Sequence, residues 1–330
     1  MVLLPPLKPT IEAALRDVDS TGKDFRLAAA DALADAPPAH RKAALEGLLK
    51  LARDKEPLVR RAALRALGSF AGQASIEQLL HEAEHAIGDH DPRVVDAAFE
   101  LMAAIGEPAI ERLSAILSVG ETSRRFLAAR ALVEAASTEA REQFLSLFPD
   151  RDPEFSAALA LALGDLREKR AIPKLIDALS SGHRELQESA ALALADLGRD
   201  EGARVLIEKL KRGDSIEETT LALGKIRAAE AAPALWSVAS KRLSPALRQS
   251  LALGALAALG DERAMKALER GLRAFFPSRR AITAHAIAEF RIVALRPAVE
   301  AAAKGKLPRA LALSILETLD EPEAVDERSR

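Results

Sequence analysis

Hydrophobic positions recur along this chain in short blocks that resemble one another. The clearest block runs from Glu56 to Gly68, where a turn with a proline precedes small and apolar residues at helical spacing, and a glycine follows. Related blocks lie at 22–33, 91–103, 152–164, 186–198 and 247–260. This pattern predicts a series of helices that each present one buried face.

A second motif alternates with the first. It is clearest at residues 168–179, where apolar side chains form one amphipathic stripe, and it recurs at Glu107, Ala232 and Asp261. The two motifs together repeat after about 30 to 38 residues, which is typical of a helix–turn–helix unit. We predict pairs at 9–36, 37–72, 75–106, 107–137, 138–166, 169–198, 200–228, 229–260, 262–292 and 293–320. One pair cannot bury both of its apolar faces, so successive pairs must stack.

The composition supports closely packed helices rather than sheets. Hydrophobic residues make up 49% of the 330 residues, yet aromatic residues make up 3% and tyrosine is absent. Alanine and leucine must therefore supply nearly all the buried surface. The absence of cysteine excludes disulfides, thiolate nucleophiles and cysteine-ligated metals, and favours a cytoplasmic protein. We find no signal peptide and expect no membrane insertion, because the longest apolar runs are about half a membrane span.

The repeats resemble HEAT repeats of the phycobilisome-lyase type, the PBS lyase HEAT-like repeats, over roughly residues 9–320. The resemblance implies an all-α fold, an armadillo-like α-solenoid or superhelix of about ten HEAT-like helix–turn–helix repeats. We expect a single repeat domain over residues 1–320. Residues 321–330 lack apolar content, and we expect them to form a disordered C-terminal tail.

The same resemblance implies a ladder of ion pairs between repeats. In that family an arginine at the position of Arg60 commonly pairs with an acidic turn residue of an adjacent repeat. The matching arginines here are Arg26, Arg125 and Arg280, and the departures are Val95, Ser156 and Gln187. We therefore expect an interrupted ladder.

One catalytic motif occurs literally, at residues 81–85. The string His81-Glu82-Ala83-Glu84-His85 has the spacing that puts two imidazoles on one helix face for zinc. The apolar stripe of this helix, at residues 76, 79, 80, 83 and 87, predicts that His81 and His85 lie on the opposite, solvated side. We predict a solvated charged face, with no metal or cofactor site, although occasional metal binding by this string stays open.

Enzymes with related repeats suggest further activities that the residues do not support. HEAT-repeat iron enzymes that hydroxylate deoxyhypusine carry His-Glu dipeptides as metal ligands. The matching places here hold Arg60-Arg61, Gln187-Glu188 and Arg280-Ala281. Phycobilin lyases act on a tetrapyrrole, and nothing beyond the repeat supports that activity in this chain. We expect no enzyme.

The second helix of each pair usually lines the concave side of such a solenoid. Its outward positions hold charged residues in the early repeats, among them Arg61, Arg65 and Arg130, and apolar residues in the middle ones, among them Leu161 and Leu192. The apolar stretches are 157–163, 190–194 and 251–259. They are either covered by neighbouring helices or form a groove for a partner helix or peptide, in which Leu161 and Leu192 would be anchors.

Charge is unevenly distributed along the chain. Residues 77–121 are acidic and residues 263–309 are strongly basic, whereas the formal net charge is −2. That net charge argues against a protein built mainly to coat nucleic acid. The basic segment, which includes Arg279 and Arg280, is either a solvated surface or a site for an acidic protein, an anionic surface or nucleic acid.

We therefore expect a non-catalytic protein–protein interaction scaffold or adaptor that binds a protein partner on its concave face. The expected partner-binding residues are Arg61, Arg65, Arg130, Leu161, Leu192, Arg279 and Arg280. The alternatives are a nucleic-acid-binding protein that uses its basic C-terminal repeats, and a phycobilin-lyase-like or metal-dependent enzyme. The sequence determines neither the partner nor the oligomeric state.

Overall fold

The computed structural model describes residues 8–72, 75–135, 138–241, 244–305 and 307–321. All regular secondary structure in these ranges is helical, and it falls into two compact units, residues 1–147 and 148–330. In each unit, antiparallel helix pairs stack on one another, so the predicted all-α solenoid is confirmed. Apart from Glu321, the expected tail lies outside the described residues.

Unit 1, residues 1–147, contains four complete helix pairs and the first helix of another. Its helices are α1 (Ile11–Asp17), α2 (Lys23–Leu33), α3 (Arg41–Leu51), α4 (Pro57–Gly68), α5 (Ile76–Ile87), α6 (Pro92–Ile105), α7 (Ile110–Val119), α8 (Thr122–Ala135) and α9 (Thr138–Leu147). Short 3₁₀ turns at Pro38–His40 and Glu107–Ala109 lead into α3 and α7.

Unit 2, residues 148–330, begins with the second helix of a pair and continues with five complete pairs. Its helices are α10 (Pro153–Asp165), α11 (Ile172–Ala178), α12 (Arg184–Asp196), α13 (Ala203–Arg212), α14 (Ile216–Lys225), α15 (Ala232–Ser240), α16 (Ala246–Ala258), α17 (Glu262–Leu272), α18 (Pro277–Glu289), α19 (Arg296–Ala303) and α20 (Arg309–Asp320). Its 3₁₀ turns are Lys169–Ala171, Ala229–Ala231 and Val293–Leu295.

The second helices begin where local chemistry favours a helix start. Pro57, Pro92 and Pro153 each occupy the first helical position, where the missing N–H of proline would have no partner within the helix. The side chain of Asp152 accepts hydrogen bonds from the amides of Glu154 at 3.0 Å and Phe155 at 3.4 Å. These residues therefore favour the observed starts of α4, α6 and α10 through local interactions.

The second helices of unit 2 before α20 share one type of ending. The second residue after the helix adopts a left-handed conformation at Arg167, Gly198, Arg227, Gly260 and Arg291. The amide that follows then donates to a carbonyl five residues earlier, as from Glu168 to Leu163 at 2.9 Å. This hydrogen-bonded ending satisfies helix carbonyls and sends the chain into the next pair in the same direction each time.

The second helices of successive pairs also form the centre of each unit. In unit 1, α2, α4, α6 and α8 pack in that order, and in unit 2 the even-numbered helices from α10 to α20 do the same. Small residues allow this close approach, since a Cβ added at Gly164 of α10 would lie 2.7 Å from Cα of Ala193 on α12. The predicted role of small residues is confirmed, but five fully buried phenylalanines also contribute: Phe70, Phe99, Phe144, Phe148 and Phe155.

Candidate partner-binding surfaces

Two of the arginines expected on the partner-binding face of unit 1 form ion pairs between second helices. Arg65 of α4 donates to both carboxylate oxygens of Glu100 on α6, at 2.6 and 2.9 Å. Arg130 of α8 donates to Asp96 on α6 at 2.6 Å. Both arginines are exposed, so these pairs contribute little stability and could be exchanged for a partner's charges at low cost.

The third arginine, Arg61, lies in a depression of about 560 Å³ between α2 and α4. Leu27 and Leu58 supply apolar surface there, and Asp31 supplies a negative charge. Within the described part of the chain, the half-buried side chain of Arg61 has no hydrogen bond or ion pair. Arg61 is therefore available to a carboxylate of a partner.

Unit 2 contains a larger groove of about 720 Å³ on its second helices, and we call it the leucine groove. Leu161 of α10, Leu192 of α12 and Leu221 of α14 line it. Leu161 and Leu192 were expected from the sequence, and the structure brings both to the same cavity. Leu221 falls in the same repeat column but was not predicted.

The two selected leucines differ in exposure. Leu161 is 37% exposed, whereas Leu192 is 7% exposed and belongs to the buried cluster of unit 2. The α12 helix is buried over Ser189–Ala195, because α10 and α14 cover it on both sides. Leu192 is thus a core residue that also forms part of the groove floor, whereas Leu161 exposes apolar surface to solvent.

Charged side chains surround the apolar floor of the leucine groove. Lys225 donates to Asp196 at 2.7 Å, and Asp165 lies beside this pair. Burial raises the pKa of the Asp165 carboxyl above its ordinary value, the negative charge of Asp196 raises it further, and Lys225 acts in the opposite direction. The groove therefore has an acidic position that a partner's cation would stabilise in its charged form.

Phe290, just beyond α18, forms an aromatic wall of the leucine groove. Its ring lies against two glycines: an added Cβ would meet the ring at 2.3 Å at Gly224 of α14 and at 2.4 Å at Gly254 of α16. Only glycine leaves room for the ring at these two positions. The groove is thus bounded by a side chain from a later repeat that sequence periodicity did not single out.

The two C-terminal arginines occupy different environments. Arg280 is buried and donates to the carbonyl oxygens of Ala274 and Phe275, both at 2.8 Å. Its neighbour Arg279 is exposed and borders a small depression with Gln249. Arg280 therefore holds the turn before α18, and Arg279 faces outward.

Arg280 is one of the polar residues that tie eight of the ten described second helices to the turn before them. Arg60 donates to the Asp54 carbonyl at 2.7 Å, and Ser156 donates to the Asp150 carbonyl at 3.0 Å. Arg26, Arg125, Gln187, Thr219 and Gln249 make corresponding bonds. Ser156 and Gln187 depart from the arginine pattern, yet they keep this hydrogen bond.

Two of these polar residues form the expected ladder of ion pairs between repeats. Arg26 donates to both carboxylate oxygens of Asp54, at 2.6 and 2.9 Å, and Arg60 does the same to Asp89, at 2.7 and 2.8 Å. Asp54 and Asp89 also accept backbone amides of their own turns, at 2.9 Å each. Each aspartate therefore fixes a turn and joins it to the neighbouring pair.

The H-E-x-x-H string on α5 divides between surface and interior. His81 and His85 are exposed, as predicted. The prediction of a solvated face was wrong for Glu82, which is 3% exposed and accepts hydrogen bonds at 2.9 to 3.2 Å from Arg53, in the turn after α3. The prediction of a buried stripe was wrong for Ile76, which is 39% exposed. Among the described residues, no three His, Cys, Asp or Glu side chains group as metal ligands.

Comparison with known proteins identifies the repeat. A sequence profile of HEAT repeats matches residues 8–85, 113–195 and 138–218, which together cover more than half of the chain. No curated protein matches the chain. In the described part of the chain, none of the helices has the length and apolar character needed to cross a membrane.

Several solved structures resemble this chain at low sequence identity. The CpcE–CpcF complex of phycocyanin lyase from Nostoc sp. PCC7120 is 22% identical, with a TM-score of 0.47, over 64% of this chain and 86% of that one. YibA of E. coli is 17% identical, with a TM-score of 0.53, over 82% and 98%. Importin beta is 12% identical, with a TM-score of 0.50, over 93% and 52%.

Proposed function

The chain belongs to the HEAT-repeat family, and on that premise we propose that it is a non-catalytic scaffold or adaptor that binds a protein partner along its second helices. The leucine groove is the observation that carries the proposal. It combines a partly exposed apolar side chain, Leu161, with a rim of charged side chains from several repeats. An apolar centre with a polar rim is the usual anatomy of a protein interface.

The occupant that we propose for the leucine groove is an amphipathic helix or peptide of a partner protein. Its apolar side chain would contact Leu161 and Leu192, and a lysine or arginine would approach Asp165. The raised pKa of Asp165 supports a cationic neighbour, because such a charge would offset the repulsion from Asp196. Helix-in-groove binding uses this combination of apolar anchors and flanking charges.

The packing of the helices supports a concave surface on the second-helix side of each unit. Second helices pack directly on one another, as α10 does on α12 and α16 on α18, whereas successive first helices such as α13 and α15 approach less closely. An array whose two rows differ in spacing curves toward the closer row. The face with Arg61 and Arg65 in unit 1 and the leucine groove in unit 2 would then be inner faces.

The absence of cysteine supports a cytoplasmic location.

Photo-crosslinking tests the proposal directly. A benzoylphenylalanine placed at position 161 should crosslink a partner protein in cell extract, and Leu161→Glu should reduce capture of that partner about tenfold or more. Ile76→Glu is the matched control, because Ile76 is equally exposed but lies on a first helix of unit 1. If a folded Leu161→Glu protein captures the crosslinked partner as well as the parent does, the groove is not the binding site.

A further inference from the structure

Two adjacent phenylalanines project from the turn between α17 and α18. Phe275 is 83% exposed and Phe276 is 66% exposed, and their rings meet edge to face with centroids 5.4 Å apart. Burying such side chains in the protein would be favourable, so their exposure calls for a reason.

Residues of α18 fix the turn that carries the two phenylalanines. The buried guanidinium of Arg280 donates to the carbonyl oxygens of Ala274 and Phe275, and Thr283 of α18 lies against Gly271 of α17. The two rings are therefore presented on a fixed base, which lowers the entropy cost of binding through them.

The turn with the two phenylalanines, and the corresponding turns of the preceding and following pairs, contain cations but no carboxylates. The turn regions 241–249, 270–281 and 303–312 contain no aspartate or glutamate. Arg279 borders a depression with Ser244 and Gln249, so the first two turns lie side by side. The exposed cations of the three turns include Lys241, Arg273, Arg279, Lys304 and Arg309. We call the described residues of these turns the basic edge.

Carboxylates near the basic edge are paired or partly buried. Glu217 pairs at 2.5 Å with Arg248, a cation of the edge itself, and Glu300 pairs with Arg296. Glu269 is half-buried on α17. The edge therefore presents positive charge and aromatic surface together.

We propose that the basic edge docks on an anionic lipid surface, with Phe275 and Phe276 inserted at the level of the headgroups. Aromatic side chains with flanking lysines and arginines combine two weak membrane signals, and stable reversible binding requires two. This mode holds the protein on the surface and needs no spanning helix. It uses residues outside the leucine groove and is independent of the protein partner.

The ring geometry favours lipid over single-stranded nucleic acid. Binding of successive bases relies on aromatic faces that each stack on a base. The planes of Phe275 and Phe276 are 87° apart, so the edge of one ring is turned to the face of the other and they form a knob rather than two parallel platforms. A knob of this shape suits insertion between lipid headgroups.

Vesicle sedimentation tests the proposal with the full chain. The protein should bind vesicles that contain equal amounts of phosphatidylcholine and phosphatidylserine. It should not bind vesicles of phosphatidylcholine alone. Phe275→Ser/Phe276→Ser and Arg273→Glu/Arg279→Glu should each weaken binding about tenfold or more. The matched control, Lys23→Glu/Phe25→Ser, changes an exposed lysine and an exposed phenylalanine of unit 1 and should bind like the parent.

Three results would overturn the proposal. These are no binding to anionic vesicles, equal binding by all four proteins, and binding to a single-stranded oligonucleotide in place of vesicles through the same residues. The last result would assign the basic edge to nucleic acid.

Fluorescence separates insertion from simple charge attraction. Trp236 is the only tryptophan in the sequence, so Trp236→Phe/Phe275→Trp places a single reporter at the tip of the edge. Its emission should shift to the blue with anionic vesicles and stay unchanged with phosphatidylcholine vesicles. An unshifted spectrum in the presence of bound anionic vesicles would rule out insertion. Trp236→Phe alone is the control for loss of the native reporter.

Discussion

At the residue scale, ion pairs of this protein differ in what they contribute because they differ in burial. Arg60 and Asp89 are both largely buried, and each also bonds to backbone groups of a turn. Arg65 and Glu100 have equally short contacts, but Arg65 is exposed to solvent and Glu100 is only half-buried. Water screens the second pair and replaces its hydrogen bonds when it opens, so the two pairs have different roles.

Replacing one member of each pair should separate these roles. Arg60→Ala leaves Asp89 partly buried without its guanidinium and leaves the Asp54 carbonyl without a donor. We expect a loss of about 2 to 3 kcal/mol in the free energy of unfolding. The control Arg65→Ala should cost less than about 1 kcal/mol. Urea denaturation followed by circular dichroism measures both, and equal losses would contradict the assignment.

The turn aspartates should make unit 1 sensitive to acid. Burial acts to raise the pKa of Asp89, but hydrogen bonds from Arg60 and the Asp91 amide outweigh it and hold the pKa below its ordinary value. The same balance lowers the pKa of Asp54 beside Arg26. The unfolded chain therefore takes up protons first as the pH falls. The stabilisation is present above the unfolded value of about 3.9 and is lost as the pH falls through the folded value.

Replacing Asp89 by asparagine, which does not titrate, tests this pH dependence. Asp89→Asn should be less stable than the parent at neutral pH, because the ion pair with Arg60 is lost. The difference in unfolding free energy should shrink as the pH falls below about 4, because the unfolded parent takes up a proton at Asp89 before the folded parent does. Urea denaturation at several pH values measures this difference. A difference that stays constant over this range would show that the charge of Asp89 does not contribute.

At the scale of the element, small residues decide how closely two helices pack. Gly164 of α10 faces Ala193 of α12 so closely that an added Cβ would lie 2.9 Å from the alanine Cβ. Such contacts require a shift of backbone, since neither side chain has a torsion that could relieve them. The contact between α10 and α12 is therefore specified by residue size more than by hydrophobicity.

Gly164→Ala tests this contact against helix propensity. Alanine favours a helix over glycine by up to about 1 kcal/mol, whereas overpacking a tight contact costs about 1 to 3 kcal/mol. We expect the clash to win and unit 2 to lose about 1 to 2 kcal/mol. The fluorescence of Trp236 during urea denaturation reports on this unit. Gly182→Ala is the control, because a Cβ there meets nothing within 4 Å and stability should stay nearly unchanged.

At the scale of the whole molecule, stability should depend on how many neighbours each helix has. Within unit 2, α12 packs against α10, α11, α13 and α14, whereas α20 packs against α18 and α19. In a repeat array each pair is stabilised mainly by adjacent pairs. A helix with fewer packed neighbours therefore opens with less free energy than one packed against more helices.

Hydrogen exchange should reveal this gradient. We expect the backbone amides of α20 to exchange at least about tenfold faster than those of α12, because α20 can open without disturbing the pairs before α18. Mass spectrometry of peptides from the two helices measures the ratio after correction for intrinsic rates. Equal protection of α12 and α20 would mean that unit 2 unfolds as one cooperative block.

The candidate site shows how far sequence reasoning reached. The repeat column selected Leu161 and Leu192, which do line one groove, but it could not separate the exposed leucine from the buried one. It also placed Glu82 in solvent, whereas Glu82 is buried and pairs with Arg53 from the turn after α3. Whether a side chain at a given repeat position is buried depends on how closely the side chains of neighbouring helices approach it. A single sequence does not contain the distances between helices.

The amino-acid sequence by itself determined the helices, their pairing and their stacking. Proline and aspartate at helix starts, glycine after helix ends and apolar positions at helical spacing act over a few residues, so they can be recognised locally. Only the tertiary structure decided which polar side chains are buried, how Phe290 closes the leucine groove and where the basic edge gathers its cations. Those features join residues from separate pairs, and contact between distant residues is set by packing geometry.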